Sequence, residues 1–500
     1  MNKTDHSIPT DKTTGKQYRN RLPLLSLACF LLILLLFSGC AGKNRGLQPA
    51  EPPLVLPEAF TQSGSQILEP YWGHEYWWHE FGDDNLRHLI DTALESNPNL
   101  KIYGERLIQA QALARKAGAD LLPSLNGQAA AARSRAHTNQ GTATSTDLLL
   151  GLAASYEIDL WGRLQAVEDA SILDARASAE DLQAASLSLA AQVANLWYQL
   201  AESYAQEAVL KQQQEVNRTA LELVRLRFNA GQIGIADLLQ QKQLIESKNG
   251  ELARQRATSK VLEHQLSILA GTAPGTFILP AKPDLIALPS LPATGVPADL
   301  LANRPDIRSQ YLALLAADRR VAAAVADQYP QLSLSAGLST SGASTHDLFD
   351  NWLSSLAANI LAPLFDGGLR QAEAMRTKAF ARERFHAYGQ SLLTAVGEVE
   401  DALVQEKEQR LFLDSLQIQL KLATSSVERL KDRYKKGTTD YQRILDALLS
   451  QQSLQQNIIT EKRRLIGYRI DLYRALGGKA PVVIRTDQPP LPNSLAHLRE

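Results

Sequence analysis

The stretch GLAASYEIDLWGRLQAVEDA, residues 151–170, changes its hydrophobic period within a few positions. Apolar residues occupy every second position before the change, which places them on one face of a β-strand. After Gly162 the sequence is rich in Ala, Leu, Glu and Gln, a composition typical of a long helix. We therefore predict a strand with one apolar face that runs into a long helix through a single glycine. The alternating residues are Leu148, Leu150, Leu152, Ala154, Tyr156, Ile158 and Leu160.

The same pattern occurs twice in the chain, with offsets of 204 to 207 residues between matching landmarks. Landmarks that recur in one order at a nearly constant offset are typical of an internal duplication. The sequence therefore predicts two copies of one structural unit. The paired landmarks are Pro98 with Pro305, Pro123 with Pro330, Leu160 with Leu364, Gly231 with Gly437, and Gly271 with Gly478.

Each copy is predicted to contain a helix, two strands, a long helix, a glycine turn and a returning helix. The long helix of the first copy reaches Asn229 after about 65 residues, or about 100 Å at 1.5 Å per residue. The returning helices end at Ala270 and Leu476. The other predicted ranges are 98–120 for the first opening helix, 137–146 and 341–347 for polar loops between the strands, and 148–160 and 352–364 for the returning strands.

These elements predict how the chain must assemble. A helix of this length needs neighbours to cover its apolar surface, and Leu182, Leu189 and Leu196 recur at the coiled-coil interval of seven residues. Each predicted strand is long enough to cross a bilayer when tilted. Four strands cannot close a barrel, and lipid does not tolerate open sheet edges. We predict a mainly α fold of two repeats, with long coiled-coil helices and four strands per protomer of a membrane β-barrel that several chains share.

Composition argues against enzymes and nucleic-acid binding. The formal net charge is −1 and the pI is about 6.8, so nothing attracts the chain to nucleic acid. The nine His are scattered, and the sequence has no phosphate loop, nucleophile elbow or dinucleotide motif. We therefore predict a protein that is not an enzyme, with no cofactor, no metal site and no nucleic-acid partner.

The N-terminus has the pattern of an export signal. A basic region precedes an apolar run at 22–37, which has the length of a signal-peptide core. The residues SGC at 38–40 then resemble a bacterial lipobox, which implies that Cys40 is lipidated and begins the mature chain. The alternative is an ordinary secretory signal with a stray cysteine. Cys29 lies within the signal, so the mature chain has no second cysteine for a disulfide. Alanine at position 41 resembles lipoproteins sorted to the outer membrane.

The repeats and the segments around them define the predicted domains. Proline-punctuated sequence separates the two copies and also follows the second copy. We interpret these segments as belts that cover the outside of the helices. The predicted domains are 1–39 as lipoprotein signal peptide, 40–75 as N-terminal lipid-anchored strap, 76–278 as repeat 1, 279–301 as linker, 302–481 as repeat 2, and 482–500 as C-terminal tail.

An ordered set of segments resembles a known family. The segments are YWWHEFGDDNLRHLIDTALESNPNL near the start, SYEIDLWGR and PLFDGGLR where strands meet helices, RFNAG and RYKKG before the turns, and LYRALGG near the end. They resemble the TolC-like outer membrane factors, and within them the NodT-type efflux lipoproteins. This resemblance implies a homotrimer with a twelve-stranded barrel, to which each protomer gives four strands, and a long coiled-coil α-barrel that forms a periplasmic helical tunnel. It also implies a passive exit duct that docks on a periplasmic adaptor (membrane fusion) protein and an inner-membrane efflux pump.

The resemblance implies roles for two groups of residues. The helix tips correspond to the region that meets the adaptor, although ordinary helix C-caps would look the same. The strand-to-helix junctions carry the wall of the duct from the membrane into the periplasm. The tip residues are Arg227, Phe228, Gly231, Arg433, Tyr434 and Gly437, and the junction residues are Trp161, Gly162, Phe365, Gly367 and Gly368.

A third group corresponds to the periplasmic gate. Asp446 occupies the position of one carboxylate that closes the tunnel in relatives, and three copies would make a ring that favours cations. Arg443 stands where some relatives have a second carboxylate, and it is a candidate to pair with Asp446 at i+3. Asp440, nearer the tip, is a further candidate. The alternative for all three is a solvated helix face.

Rival functions explain less of the sequence. A porin would consist mainly of strands, and a structural coiled-coil envelope lipoprotein would leave the strand pairs without a purpose. If the protein is an exit duct, its exported substrate could be drugs, metal ions or proteins. Met375 is the only methionine after the first residue, which argues against soft-metal handling. We therefore predict multidrug or small-molecule efflux from a Gram-negative outer membrane.

Overall fold

A computed structural model describes residues 56–61, 76–276, 278–292, 294–478 and 481. The predicted signal peptide, Cys40 and nearly all of the C-terminal tail lie outside these residues. So do most of the predicted strap and its lipid anchor. No helix among the described residues is long and apolar enough to cross a bilayer.

The described chain is built mainly from long helices and one sheet. Short 3-10 turns lie at Trp77–Phe81, Pro297–Asp299 and Asp347–Phe349. The strands are β1 (Ser124–Thr138), β2 (Gly141–Ile158), β3 (Gln331–Gly342) and β4 (Trp352–Leu361). The helices are α1 (Asp84–Ser96), α2 (Pro98–Ala119), α3 (Arg163–Asn229), α4 (Ile235–Leu269), α5 (Leu300–Asn303), α6 (Pro305–Ala326), α7 (Leu369–Lys435) and α8 (Tyr441–Leu476).

The internal duplication predicted from sequence is confirmed in the order of the elements. Both copies contain a helix, a strand pair, a long helix and a returning helix, with α2, β1, β2, α3 and α4 matched by α6, β3, β4, α7 and α8. The two long helices have the same length, 67 residues each. Position for position, a residue of α3 corresponds to the residue 206 further on in α7. The predicted ends of α3, α4 and α8 agree with the structure within one residue.

The predicted polar loop at 137–146 is wrong. Strand β1 continues to Thr138 and β2 starts at Gly141, so only a two-residue turn separates them. β-Branched threonines alternate along the start of β2, which favours extended backbone although the segment is polar. Backbone pairing there continues through His137 opposite Thr142. The returning strands also end earlier than predicted, at Ile158 and Leu361.

The four strands form one antiparallel sheet in the order β1-β2-β3-β4. Strand β2 pairs along most of its length with β1 on one side and β3 on the other. Strands β1 and β4 therefore each present an edge that no other described residue of the chain pairs with. Closure of this sheet into a barrel would therefore need strands of other protomers.

The buried core lies among the helices and not in the sheet. One cluster joins the aromatic turn around Trp77 and Trp78 to α1, α3 and α8. A second cluster lies among α6, α7 and α8. A third, smaller cluster lies at the far end of the long helices, around Val224 and Tyr434. The helices are thus packed along their whole length, while every residue of β1 and β4 is exposed in the single chain.

Candidate functional site

The two faces of the sheet differ in chemistry. The registers place Leu152 opposite Leu338 and Tyr156 opposite Leu334, so the apolar residues of neighbouring strands share one face. The other face carries mostly small and polar residues, with Leu149, Leu353 and Leu361 as exceptions. On this face Ser134 and Ser145 hydrogen bond to each other at 2.6 Å. The apolar face includes Leu125, Leu148, Leu150, Leu152, Tyr156, Ile158, Leu332, Leu334, Leu338, Leu356 and Ile360, and the polar face includes Asn126, Gln128, Ser134, Ser145, Asp147, Ser155, Ser333, Ser335, Ser339, Ser355 and Asn359.

This alternation is the pattern of a transmembrane barrel around an aqueous lumen. From Leu148 to Ile158 the apolar residues of β2 span ten steps, or about 34 Å along the strand. At a tilt of about 45° this corresponds to about 25 Å along the membrane normal, the height of the apolar band of such barrels. Trp352, which is 71% exposed, lies on the apolar face at the turn end of β4. Its position is that of an aromatic girdle at the membrane surface.

The first strand-to-helix junction holds the sheet directly against the helices. The indole N–H of Trp161 donates to the carbonyl of Pro330 at 2.7 Å, which ties the first copy to the start of β3. Gly162 has φ of 71°, a left-handed conformation that lets the chain turn from strand to helix at once. Only four residues separate the end of β2 from Arg163, the first residue of α3.

The second junction uses two left-handed glycines, Gly367 and Gly368, with φ of 65° and 86°. Asp366 accepts a hydrogen bond from the Gly368 N–H at 3.0 Å and stabilises this turn. Phe365 is 93% exposed, so the single chain gives it no packing partner. The sequence thus located the turns correctly.

One carboxylate connects the two junctions and was not singled out from sequence. Asp327, directly after α6, lies 3.1 Å from Arg370 Nε and 4.0 Å from Arg163 Nε. Arg163 also pairs with Glu157 at 2.7 Å. These groups join residues from both copies at the base of the sheet. The two arginines could have been found from sequence, because Arg163 and Arg370 belong to the two junction motifs. Their shared partner, Asp327, could not, because that contact depends on the fold.

The helix tips turn at glycines, as predicted. Gly231 and Gly437 have φ of 73° and 74°, which favours glycine after each long helix. Arg227 donates from Nη2 to the backbone carbonyl of Tyr434 at 2.7 Å, and its guanidinium lies 3.8 Å from the centre of the Tyr434 ring. Arg433, the residue that corresponds to Arg227 in the second copy, is exposed. The tip residues of the first copy therefore hold the tip of the second.

A small apolar cluster supports the tips from within. Tyr434 and Tyr441 are buried in it, and the half-buried Phe228 packs against it. The hydroxyl of Tyr441 donates to the Gln241 side chain. Burial raises the pKa of Tyr441, and that of Tyr434 rises for the same reason although the charge of Arg227 opposes it. Gln241 and Tyr441 were missed from sequence, since their contact joins residues 200 positions apart.

The gate candidates are all exposed on the first turns of α8. The carboxylate of Asp446 accepts a hydrogen bond from the Gln442 amide at 2.9 Å. The suggested pairing of Arg443 with Asp446 is wrong, because the Arg443 Nε lies 3.9 Å from Asp440. Asp440 is the N-cap of α8, and its carboxylate accepts a hydrogen bond from the backbone N–H of Arg443 at 3.0 Å, which holds this carboxylate at the start of the helix. Within the described part of the chain, no cationic side chain lies within ion-pair distance of Asp446.

Groups of metal-ligand type are sparse in the described part of the chain. His346, Asp347 and Asp350 bring ligand-type atoms within 4.8 Å of one another. All three are exposed and lie in the turn between β3 and β4. An exposed acidic group of this kind is common on protein surfaces, and no other feature of the turn points to an ion.

Comparison with known proteins agrees with this geometry. The family model described as outer membrane efflux protein matches residues 89–272 and 296–478. The pyoverdine export outer membrane protein OpmQ of Pseudomonas aeruginosa is 31% identical over 426 residues, which cover 80% of this chain and 87% of OpmQ. The cation efflux system protein CusC of Escherichia coli is 27% identical over 460 residues, covering 89% and 98% of the two chains. The solved structure of the outer-membrane channel OprN matches with a TM-score of 0.81 at 25% identity, covering 87% of this chain and 99% of OprN.

Proposed function

The chain belongs to the outer membrane efflux protein family, and on that premise we propose that it exports small organic molecules. It is an outer-membrane channel of a tripartite efflux system and not an enzyme. Three protomers contribute four strands each to the barrel, and the helices form a periplasmic tunnel. The channel works with a periplasmic adaptor and an inner-membrane pump, which supplies the energy.

One observation carries the mechanism of conduction. The polar face of the sheet is joined to the long helices by only four residues after β2 and seven after β4, with no globular element between them. A polar lumen can therefore continue from the barrel into the tunnel without a chamber in which substrate could be chemically changed. Transport is passive along this path, because nothing in the described wall couples it to an energy source.

The cargo proposal rests on the chemistry of the wall. The lumen face offers serine, asparagine and glutamine side chains, which hydrogen bond to many kinds of solute without selecting one. The named relatives export pyoverdine in one case and cations in another. Among the described residues, Met375 is the only thioether and is 60% exposed on α7. The described wall therefore has no series of methionine ligands for soft metal ions. These features support small organic molecules as the substrate class.

A direct test separates the cargo classes. The channel is expressed with its own pump and adaptor in a strain that lacks its native ducts. We expect lower accumulation of fluorescent dyes and higher resistance to several antibiotics, with copper tolerance unchanged. A rise in copper tolerance without any effect on dyes would contradict the proposal and favour metal export.

We further propose that the helix tips dock the adaptor. Arg433 and Gly437 lie in exposed positions at the end of α7, so an adaptor can reach them without unfolding the channel. Arg227, Phe228 and Tyr434 are at least half-buried at the same tip and support its shape. Cross-linking through cysteine placed at Lys436 should capture the adaptor, while cysteine at the mid-helix position Gln417 should not.

Asp446 is proposed as the gate carboxylate. Its side chain is exposed and has no cation partner among the described residues, so three copies close to the trimer axis would repel one another and attract cations. Asp446→Ala is expected to raise conductance in planar bilayers severalfold and to reduce cation selectivity. Asp401→Asn, an exposed carboxylate further from the tip on α7, is the matched control. Unchanged conductance and selectivity in Asp446→Ala would remove Asp446 from the gate.

The lipid anchor completes the proposal. Lipidation of Cys40 would attach the mature N-terminus to the inner leaflet of the outer membrane. Mass spectrometry of the mature N-terminal peptide should show a cysteine carrying acyl chains. A mature chain that begins at another residue, or an unmodified cysteine, would contradict this part.

A further inference from the structure

The apolar face of the first hairpin ends in a row of cationic residues. Beyond the pair Ala131 and Leu148, the next residues of β1 on the same face are Arg133, Arg135 and His137. All three are exposed. Their partners across the pair are threonines: Thr146, Thr144 and Thr142 in the same order. We name Arg133, Arg135 and His137 the outer cationic row.

The height of the outer cationic row follows from the registers. The apolar residues of β2 on this face end at Leu148, which pairs with Ala131. The next residue of β2 on the same face is Thr146, and it pairs with Arg133. Two steps along a strand are about 7 Å, or about 5 Å along the normal at a tilt of about 45°. Both arginines thus lie just outside the apolar band, at the level of lipid headgroups.

The hairpin turn end is the extracellular end of the molecule. The opposite ends of all four strands join the helices, which form the periplasmic tunnel. The row therefore faces the outer leaflet of the outer membrane. In Gram-negative bacteria that leaflet consists of lipopolysaccharide, a glycolipid whose headgroup carries phosphates.

No carboxylate opposes the row on its own face. Asp147 is the nearest acidic residue along β2, but it pairs with Ala132 and lies on the lumen face. Within the described chain, neither Arg133 nor Arg135 forms an ion pair. Their Cα atoms are about 7 Å apart, so both guanidinium groups can reach one anionic headgroup. Arginine binds phosphate through paired, charge-assisted hydrogen bonds, and the adjacent threonine hydroxyls offer additional donors.

The second hairpin differs. It ends in a turn that carries Asp347 and Asp350 and no arginine or lysine between 331 and 361. A basic rim that resulted only from general outer-surface composition would be expected on both hairpins. The charge is instead confined to β1, at one place in each protomer and three in the trimer.

We propose that the outer cationic row binds the phosphate groups of lipopolysaccharide in the outer leaflet. Binding fixes the depth of the barrel in the membrane and adds lipid contacts beside β1, the edge strand that meets the next protomer. The site is independent of the exported cargo. Failure of the efflux test would leave it standing, and its own failure would leave the channel function unchanged.

The experiment measures how much lipid A stays bound to the trimer. Purified trimers are reconstituted in nanodiscs that contain phosphorylated lipid A or its dephosphorylated form, re-extracted in mild detergent, and examined by native mass spectrometry. We expect up to three lipid A molecules per wild-type trimer. Arg133→Gln combined with Arg135→Gln should lower retention roughly 25-fold, on the basis of about a fivefold effect per surface cation. Dephosphorylated lipid A should be retained poorly by both proteins.

Two variants and one competitor make the outcome decisive. Arg133→Lys with Arg135→Lys keeps the charge and should retain an intermediate amount of lipid A. Asp147→Asn changes a charge at the same height on the lumen face and should behave as wild type. Heat-modifiable migration on a gel confirms that every variant is a folded trimer. Equal retention by wild type and the glutamine variant would overturn the proposal. Release of lipid A by millimolar inorganic phosphate would also overturn it, because a free anion would then be the ligand.

Discussion

Corresponding buried positions in the two copies carry different kinds of side chain. In the first copy Leu200 and Leu262 belong to one buried apolar cluster. The corresponding residues of the second copy, 206 and 207 positions further on, are Glu406 and Arg469. These two are 1% and 0% exposed and form a two-point ion pair with distances of 2.6 and 2.8 Å.

The charged pair does something that the leucines cannot. Arg469 Nη1 also donates to the carbonyls of Pro289 and Ser290, at 3.2 and 2.9 Å. It thereby fastens the linker between the copies to the outside of α8. Burial alone would lower the pKa of Arg469, but the hydrogen bonds and charge of Glu406 outweigh it and the pKa is raised. The second copy thus differs from the first in holding a buried ion pair that binds the linker where the chain crosses from one repeat to the next.

The two helix tips also differ between the copies in the role of one corresponding residue. Arg227 and Arg433 are the same residue type at corresponding positions, yet one clamps the partner tip and the other is exposed. The first-copy tip therefore acts as the support and the second-copy tip as the supported element. The second-copy tip is also the one that continues into Asp446, the proposed gate residue.

The largest effect is expected from breaking the buried ion pair. Arg469→Leu leaves Glu406 buried with only Arg410, at 2.7 Å, as a cation partner. Loss of one partner of a buried pair costs about 3–5 kcal/mol of unfolding free energy. Thermal unfolding of the trimer, followed by circular dichroism, should show a clear decrease in midpoint temperature.

Restoring the first-copy chemistry sharpens this comparison. Glu406→Leu with Arg469→Leu recreates the pair of leucines and should recover most of the lost stability, because no charge is left buried. The linker should still be released, and proteolysis between 279 and 301 should become faster. Arg464→Leu, which removes an ion pair of a 46% exposed side chain, is the control and should change little. A double variant as unstable as the single one would contradict this account.

The next effect concerns the tips. Arg227→Ala removes a charge-assisted hydrogen bond worth about 1.5–3 kcal/mol, together with the contact on the Tyr434 ring. We expect larger and more frequent channel openings in planar bilayers. Arg433→Ala should leave the openings unchanged and weaken binding of the adaptor, measured by surface plasmon resonance. The same opening behaviour in both variants would refute the unequal roles of the tips.

A smaller effect is expected where α2 and α6 begin. Asn97 caps α2 through the N–H groups of Asn99 and Leu100, and its amide donates to the carbonyl of Leu269 at 2.9 Å. Asn97→Ala should cost about 1–2 kcal/mol, as loss of a helix cap does. Asn97→Asp, which keeps the cap acceptor but loses the donor to Leu269, should cost less. Chemical denaturation of the purified protein provides the measurement.

The smallest expected effect is a change in stability with pH, which we expect in the second copy and not in the first. Arg304, which corresponds to Asn97, pairs with Asp306 at 2.7 Å and Glu398 at 2.6 Å. Burial alone would raise the pKa of Asp306, but the hydrogen bonds and charge of Arg304 outweigh it and hold the pKa below its ordinary value.

The direction of the pH dependence follows from the lowered pKa of Asp306. The Asp306 contribution to stability is present above about pH 4, the ordinary aspartate value, and is lost as pH falls through the lowered folded pKa. The stability difference between wild type and Arg304→Ala should therefore shrink below about pH 4. The difference between wild type and Asn97→Ala should stay nearly constant, since Asn97 does not titrate. Thermal midpoints measured from pH 7 to pH 3 check both expectations, and parallel curves would contradict the assignment.

Prediction from sequence succeeded wherever a local signal decided the structure. A period of two predicted β2, and a helical composition followed by glycine predicted α3 and its turn at Gly231. The duplication was visible because landmarks recur at a nearly constant offset. The loop at 137–146 was mispredicted for an equally local reason, since polar residues outside the apolar band still pair as strands.

The contacts of individual charged residues could not be predicted. Arg443 has carboxylates three residues away on both sides, and only the N-cap geometry of Asp440 decides between them. Asp327 meets Arg163 because α6 ends beside α3, a contact between residues far apart in sequence. The periodicity of the sequence carries no information about contacts between residues so far apart.

The sequence by itself therefore determined the repeated unit, the ends of the long helices, the apolar and polar faces of the sheet, and the need for several chains to close it. These properties depend on the pattern of residues along one element. Only the tertiary structure decided that Arg227 clamps and Arg433 does not, and that Arg469 holds the linker while Leu262 packs in a core. Corresponding side chains acquire different roles because their partners lie on other helices, some 200 residues away, and only packing brings them together.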